Sequence, residues 1–389
     1  MLLTFSIFLI FAKDSVKVSN MNHQLPSAPG PIGVFDSGYG GLTILSKIRE
    51  VLPQYDYVYL GDNARAPYGS RSFDVVYEFT LQAVEKLFEM GCHLVVLGCN
   101  TASAKALRSI QQNNLPHIDP QRRVLGVIRP TVEAIDTLTK SRHVGVLGTP
   151  GTIKSESYPL EIHKLFPDIK VSGQACALWA AIVEAGEAQS EGADYFIQKD
   201  INALLSKDAE IDTIILGCTH YPILLPKIRQ YVPEGINILA QGNLVGESLK
   251  DYLKRHSEMD ARCTKGGTCT YFTTEAEEKF SESATTFLSE QVSVQHIELG
   301  NNQTNNYSME TKEDKNRTVE VFQGTSWEAE LVKGLLESNG IACMTRMGNA
   351  GVYSLTIGND YSVWVFEKDK TQALEIINNR TDIDEKDVE

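Results

Sequence analysis

Val95-Val96-Leu97-Gly98-Cys99-Asn100-Thr101 and Ile214-Ile215-Leu216-Gly217-Cys218-Thr219-His220 are two versions of one short element. Each is an apolar, mostly β-branched run that reads as a buried strand, followed by Gly, a cysteine and two polar residues. A helical pattern follows both, so each thiol is expected at the carboxyl end of a strand, where open α/β sheets hold their ligands. Ile32-Gly33-Val34-Phe35-Asp36-Ser37-Gly38 and Val144-Gly145-Val146-Leu147-Gly148-Thr149-Pro150 form a second matched pair at a nearly equal offset. The repeat predicts two pseudo-symmetric open α/β sandwich lobes with mainly parallel sheets, each presenting one sulfur to a shared cleft.

The bulk composition narrows the class. At 389 residues, with 42% hydrophobic and 22% charged residues, the chain reads as a globular protein of two or three domains. A net charge of −14 argues against nucleic acid as a partner, since that needs a basic face. The seven cysteines are scattered and odd in number, with no CxxC or Cys/His cluster at zinc spacing, so no metal is expected. Free thiols suit a reducing cytoplasm. Cys92 and Cys176 lie in apolar stretches and read as inert core thiols. Leu2 to Ala12 is apolar but too short to span a bilayer, and it lacks the basic start and cleavage site of a signal peptide. Met21 is the expected initiator in place of Met1, and no membrane partner is expected.

The expected division is an N-terminal extension over 1–30, a first lobe over 31–123 with 242–300, and a second lobe over 124–241. Residues 301–317 are polar and charged and read as a linker. A small α+β domain over 318–380 and an acidic tail over 381–389 complete the chain. In the first lobe, Asp36-Ser37-Gly38-Tyr39-Gly40-Gly41 links a strand to a helix. It fails the dinucleotide fingerprint because Thr43 holds the third glycine position, and it lacks the G-K-[ST] of a Walker loop. It is either a tight turn needing small residues or a loop that turns Asp36 and Ser37 into the cleft. Ser72 reads as the cap of the next helix. The second lobe is expected to open with a strand at Val124–Ile128, and Thr268–Thr273 reads as the last strand before the linker. Glu184 is either a surface charge or an acid aimed at the cleft, and His220 is either structural or a proton shuttle.

Two thiols with polar neighbours permit several chemistries. One could be a nucleophile with a base and an oxyanion hole, or the pair could be a redox couple. A phosphatase loop would need Arg six residues after the cysteine, where Lys105 and Leu224 stand. The duplicated element best suits two-base proton transfer, one thiolate removing a proton from a carbon acid while the other thiol returns one on the opposite face. Helix N-termini after both sulfurs are expected to favour the thiolates. Asp36 and Glu184 would add acidic groups for orientation or for pairing with a substrate ammonium. The donors suited to a carboxylate are Ser37, Gly69, Asn100, Thr101, Thr149 and Thr219.

The runs Gly33 to Leu42, Pro67-Tyr68-Gly69, Cys99-Asn100-Thr101-Ala102, Gly148 to Thr152, Val183-Glu184 and Gly217 to Pro222 resemble those of cofactor-independent glutamate racemases. The likeness covers about residues 31–275 in the expected order. It implies an amino-acid racemase that uses no cofactor, supplies D-glutamate to peptidoglycan synthesis and assembles as a homodimer. It also implies that Cys99 takes the proton from D-glutamate and Cys218 from L-glutamate, with Asp36, Glu184 and His220 assisting. Substrate contacts would fall on Asp36, Ser37, Tyr68, Gly69, Asn100, Thr101, Thr219 and His220. Ala177 stands where that family often has Pro, and Arg129 where many members differ; both bear on second-lobe packing or a dimer surface. The C-terminal module resembles a small family of signal-transducing proteins, which implies a regulatory or partner-binding role. The alternatives are a racemase of aspartate or another small acid, and a non-catalytic amino-acid sensor.

Overall fold

The apolar runs that open the first lobe close into strands because both faces of each are covered. β1 (Ile32–Asp36), β2 (Tyr57–Gly61) and β3 (Leu94–Leu97) are buried along their whole length. β4 (Arg123–Gly126), β5 (His143–Gly148), β6 (Lys170–Ala175), β7 (Thr213–Gly217) and β8 (Asn237–Leu239) follow, then β9 (Cys269–Thr273) and β10 (Val294–His296). In this computed structural model, residues 27–288, 291–300, 318–324, 329, 332, 333, 335, 336, 339, 341, 343–347 and 361–378 are described. The extension before residue 27, the choice between Met1 and Met21, the linker over 301–317, the tail over 381–389 and residues 352–356, which read as a strand of the small domain, lie outside them.

Two sheets result, ordered β10-β9-β2-β1-β3-β4 and β6-β5-β7-β8, and every pairing in them is parallel. In the first, the chain steps from β1 to β2 on one side and then to β3 on the other, so the order reverses between β1 and β3. In the second it reverses between β5 and β7. Ligands of open α/β sheets lie at such switch points, outside the carboxyl ends of the strands. Asp36 ends β1, Cys99 follows β3, Thr149 follows β5 and Cys218 follows β7. The duplicated element therefore lands at the switch point twice.

Helices clothe both sheets. α1 (Gly41–Val51) buries Leu42, Ile44, Leu45 and Ile48. α2 (Phe73–Glu89) is capped as expected, Ser72 accepting from the Val75 N–H. α3 (Asn100–Lys105) is a short continuation of the first cysteine element.

Three expectations need correction. The strand expected at Val124–Ile128 as the start of the second lobe is β4, and it pairs with β3 in the first sheet. Val124 joins the apolar cluster of Val95, Leu97 and Cys99, which holds this strand in the first lobe. Ile128 already belongs to a helix, Ile128–Leu138, so the crossing falls at Val127. Residues 268–273 are not the last strand, because β10 adds an edge after the helix Glu277–Leu288. The pattern after Cys99 predicts one helix through about Gln112, but it breaks after Lys105 and relaxes into a π-turn over Ile110–Asn114.

The chain separates into two units, Met1–Gln303 and Thr304–Glu389. In the second, β11 (Thr318–Gly324), β12 (Cys343–Met347) and β13 (Tyr361–Phe366) form an antiparallel sheet ordered β11-β13-β12. With the helix Lys370–Asn378 it encloses a core of Val321, Val332, Leu336, Val363 and Val365, the small α+β arrangement expected.

Candidate active site

β1 delivers Asp36 to a turn that folds back on its own carboxylate. Oδ2 accepts from the Gly38 N–H at 3.3 Å and the Gly41 N–H at 3.0 Å. Gly41 is required there, since a Cβ would stand 2.3 Å from the Cβ of Asp36. Oδ1 is buried with no hydrogen-bond partner among the described residues. Burial pushes the carboxyl up to about 6, against the opposing pull of the His220 charge.

Cys99 sits between Gly98 and α3, and its sulfur caps that helix, 3.4 Å from the Ala102 N–H. The Ser37 hydroxyl lies 3.2 Å from the same sulfur. Burial, and then the Asp36 charge, push this thiol up to about 12 despite those two contacts. The expectation that a helix N-terminus favours the thiolate is overturned here. α3 has only six residues, and its single N–H does not offset removing the sulfur from water.

Cys218 keeps different company. The chain after it enters a 3-10 turn, Tyr221–Leu224, so the expected α-helix does not begin at the thiol. Its partner is His220, with Nδ1 at 3.8 Å from the sulfur. Nε2 of that ring lies 2.8 Å from Glu184 Oε1, which places Glu184 at the site and not on a free surface. Burial opposes a charged ring, but Cys218 and Glu184 override it and lift His220 to about 10. The imidazolium therefore persists at neutral pH. Phe287 stands perpendicular to the ring at 5.7 Å, a neighbour that the sequence reading did not single out.

The two lobes meet here. At Gly40 a Cβ would fall 2.3 Å from Thr219 Oγ1 and 2.5 Å from His220 Nδ1, so the absent side chain is what lets the loops touch. The Thr43 hydroxyl donates to the Thr219 carbonyl at 3.1 Å. Cys99 and Cys218 are unbridged, and Cys218 lies close enough for its charge to bear on Cys99. Both are only 5% and 6% exposed, so this cleft is closed.

The remaining candidates fall around the thiols, several already engaged. Tyr68 donates to Asp62, which also takes Arg65 in a two-pronged contact. The Gly69 carbonyl accepts from the Gly151 N–H at 2.7 Å. The Thr101 hydroxyl is 2.9 Å from that of Thr149 and 3.3 Å from that of Thr152. Asn100 gives its Nδ2 to Gln241 at 2.6 Å and takes the Tyr158 hydroxyl on Oδ1 at 2.7 Å. Asp62, Tyr158 and Gln241 were not read as site residues; single polar residues within amphipathic patterns give no local signal.

Two other features stand apart. A cavity of about 410 Å³ lies beside β4, lined by residues such as Gln111, Arg123, Tyr252 and His256, and none of the thiol-site residues borders it. The buried thiols lie apart from this cavity. Among the described residues, His143, Asp208 and Glu210 bring ligand atoms within 4.8 Å of one another. The two His143 nitrogens face different carboxylates and Lys170 already pairs with Asp208, so these form an ion-pair cluster at the opposite end of the second sheet.

A Cys–His–Glu set could serve a nucleophile, but a second buried thiol opposite it has no place in that scheme. Comparisons with known proteins bear on the choice. Residues 33–243 match the family model described as Asp/Glu/Hydantoin racemase, and residues 318–381 match one for a prokaryotic signal transducing protein. The chain is 37% identical over 267 residues to a glutamate racemase of Roseobacter denitrificans, covering 66% of this chain and 96% of that protein. The crystal structure of glutamate racemase isoform RacE1 from Bacillus anthracis aligns with a TM-score of 0.63 at 34% identity, over 69% of this chain and 97% of that one. Glutamate racemase from Francisella tularensis in complex with D-glutamate aligns with a TM-score of 0.62 at 30% identity, over 69% and 98%.

Proposed function

Because the chain belongs to the Asp/Glu/hydantoin racemase family, we propose that it interconverts L- and D-glutamate by proton transfer between Cys99 and Cys218, with no cofactor. The observation that carries this is the pair of unbridged thiols at the switch points of two like sheets, one from each lobe. Starting from L-glutamate, the Cys218 thiolate takes the α-proton and becomes a thiol. The Cys99 thiol gives its proton to the opposite face and becomes a thiolate. The α-carbon gains one proton and loses one, so the reverse passage regenerates the starting state. D-glutamate uses the same path backwards.

The surroundings suit this division. The His220 imidazolium stabilises the charge on Cys218, and Glu184 holds the ring. Burial and Asp36 keep Cys99 protonated at neutral pH, ready to donate. The unpartnered Oδ1 of Asp36 is the acceptor on hand for a substrate ammonium. Thr101, Thr219, Ser37, Gly69 and backbone N–H groups offer donors to the substrate carboxylates. Asn100 adds its backbone N–H and the second hydrogen of its amide. Desolvation in the closed cleft strengthens each of these interactions when the α-carbon carries negative charge.

The reading extends to D-glutamate supply for peptidoglycan and to a reducing, cytoplasmic setting, which seven unbridged cysteines suit. A homodimer is part of it, with Leu160, Leu178 and Tyr195 as exposed apolar side chains open to burial. The C-terminal module would act as a regulatory or partner-binding appendage. Circular dichroism of purified protein with each enantiomer of glutamate and of aspartate is the test. Glutamate should turn over faster by roughly 10–200-fold, the discrimination that one methylene allows. Equal or greater turnover of aspartate would transfer the assignment to that substrate.

A further inference from the structure

The crossing between lobes is held by a closed ring of hydrogen bonds. The Gln241 amide Nε2 donates to the Tyr158 hydroxyl at 2.7 Å. That hydroxyl donates to Asn100 Oδ1 at 2.7 Å, and Asn100 Nδ2 donates back to Gln241 Oε1 at 2.6 Å. All three donors run the same way round, so each amide has one orientation that satisfies the ring. Gln241 Nε2 also reaches Thr131 Oγ1 at 2.8 Å and the Val127 carbonyl at 3.2 Å. The three ring members are at most 2% exposed.

The position of this ring gives it a consequence. The chain crosses between lobes at Val127 and again at Gln241, and Gln241 bonds to the first crossing from the second. Immediately after it, Gly242 and Gly246 let the next helix settle on Lys47 and Val51 of α1 in the first lobe. Asn100 is the residue after Cys99. The Tyr158 ring lies 3.3 Å from where a Cβ of Gly217 would stand, one residue before Cys218. The ring thus touches both thiol-bearing loops and the point about which the lobes would hinge.

We propose that Gln241 is a positioning residue which, through Tyr158 and Asn100, sets the separation of the two cysteine loops for proton transfer. The inference rests on the two-thiol reading above. A displacement of about 1 Å between reacting groups costs on the order of a hundredfold in rate.

The test is a double-mutant cycle on the full chain, following glutamate racemisation and thermal unfolding. Gln241→Met removes every polar contact at similar volume, and Tyr158→Phe removes only the hydroxyl. Each should lower kcat by about ten- to a hundredfold while KM moves less than about threefold, because the acid and base are misplaced while neither altered side chain is itself a substrate contact. The double variant should fall no more than about threefold below the worse single one, because either change opens the same ring. Full kcat in a folded Gln241→Met protein, or effects that multiply in the double variant, would overturn the proposal. If Gln241→Met does not fold, Tyr158→Phe alone decides by whether kcat falls at unchanged KM. An inactive wild-type protein would instead remove the two-thiol reading.

Discussion

Replacing Glu184 by Gln tests what the carboxylate does for His220. The side chains are nearly isosteric and Glu184 lies at the edge of the site, so packing is expected to survive. What is lost is the negative charge on the acceptor of a 2.8 Å hydrogen bond, which makes it a bond between charged groups. Such a bond contributes about 1.5–3 kcal/mol, equivalent to roughly one to two pH units on the imidazolium. His220 is held up at about 10, so the variant ring should lose its proton near roughly pH 8–9. The sign follows from which form is favoured. A raised histidine keeps its charge, and the stability linked to it, below its ordinary value of 6.5, and loses both as pH rises through about 10. Under the proposed transfer, the Cys218 sulfur loses its positive neighbour at the same point. Measured as kcat/KM against pH, the alkaline limb of the wild type should fall near 10 and that of Glu184→Gln one to two units lower. Because the two enantiomers have equal free energy, kcat/KM must change equally in both directions. An alkaline limb that stays in place would refute the role of this carboxylate.

Other consequences follow from the same geometry. Gly40→Ala puts a methyl group 2.3 Å from Thr219 Oγ1 and 2.5 Å from His220 Nδ1, so it should cost about 1–3 kcal/mol of stability and at least tenfold in kcat/KM, read by thermal melts and initial rates. Asp36, raised to about 6 by burial, should appear as an acid limb near that pH in the kcat/KM profile, and Asp36→Asn should remove the limb. Iodoacetamide at neutral pH should alkylate Cys218 before Cys99, because only Cys218 faces an imidazolium; peptide mass spectrometry gives the order, and the reverse order would contradict the division of roles.

Much of this site was legible in the chain because its residues lie next to strands that announce themselves. Val95–Leu97 and Ile214–Leu216 are apolar runs with Gly-Cys behind them, and parallel strands buried on both faces read in that way. Asp36, Cys99 and Cys218 fell where the pattern put them. The lobe boundary was less visible, since Val124-Leu125 suits either sheet and only pairing with β3 decides. Gln241 and Tyr158 were not legible at all. Each is one polar residue in an ordinary helical or turn context, and its meaning comes from Asn100, far away in sequence. The proton affinity of Cys99 was misjudged for a related reason. A helix start is visible in sequence, whereas the burial that outweighs it depends on how the lobes close.

The central claim is that two thiols exchange one proton with the α-carbon from opposite faces. Purified protein should be given each glutamate enantiomer in deuterium oxide and the α-position followed by NMR, with Cys99→Ser and Cys218→Ser alongside. The expected result is deuterium entering the newly formed enantiomer in both directions with the wild type, and at least a hundredfold loss of racemisation in either variant with the fold intact. Glutamate bound without exchange at its α-carbon, or full racemisation in either variant, would contradict it.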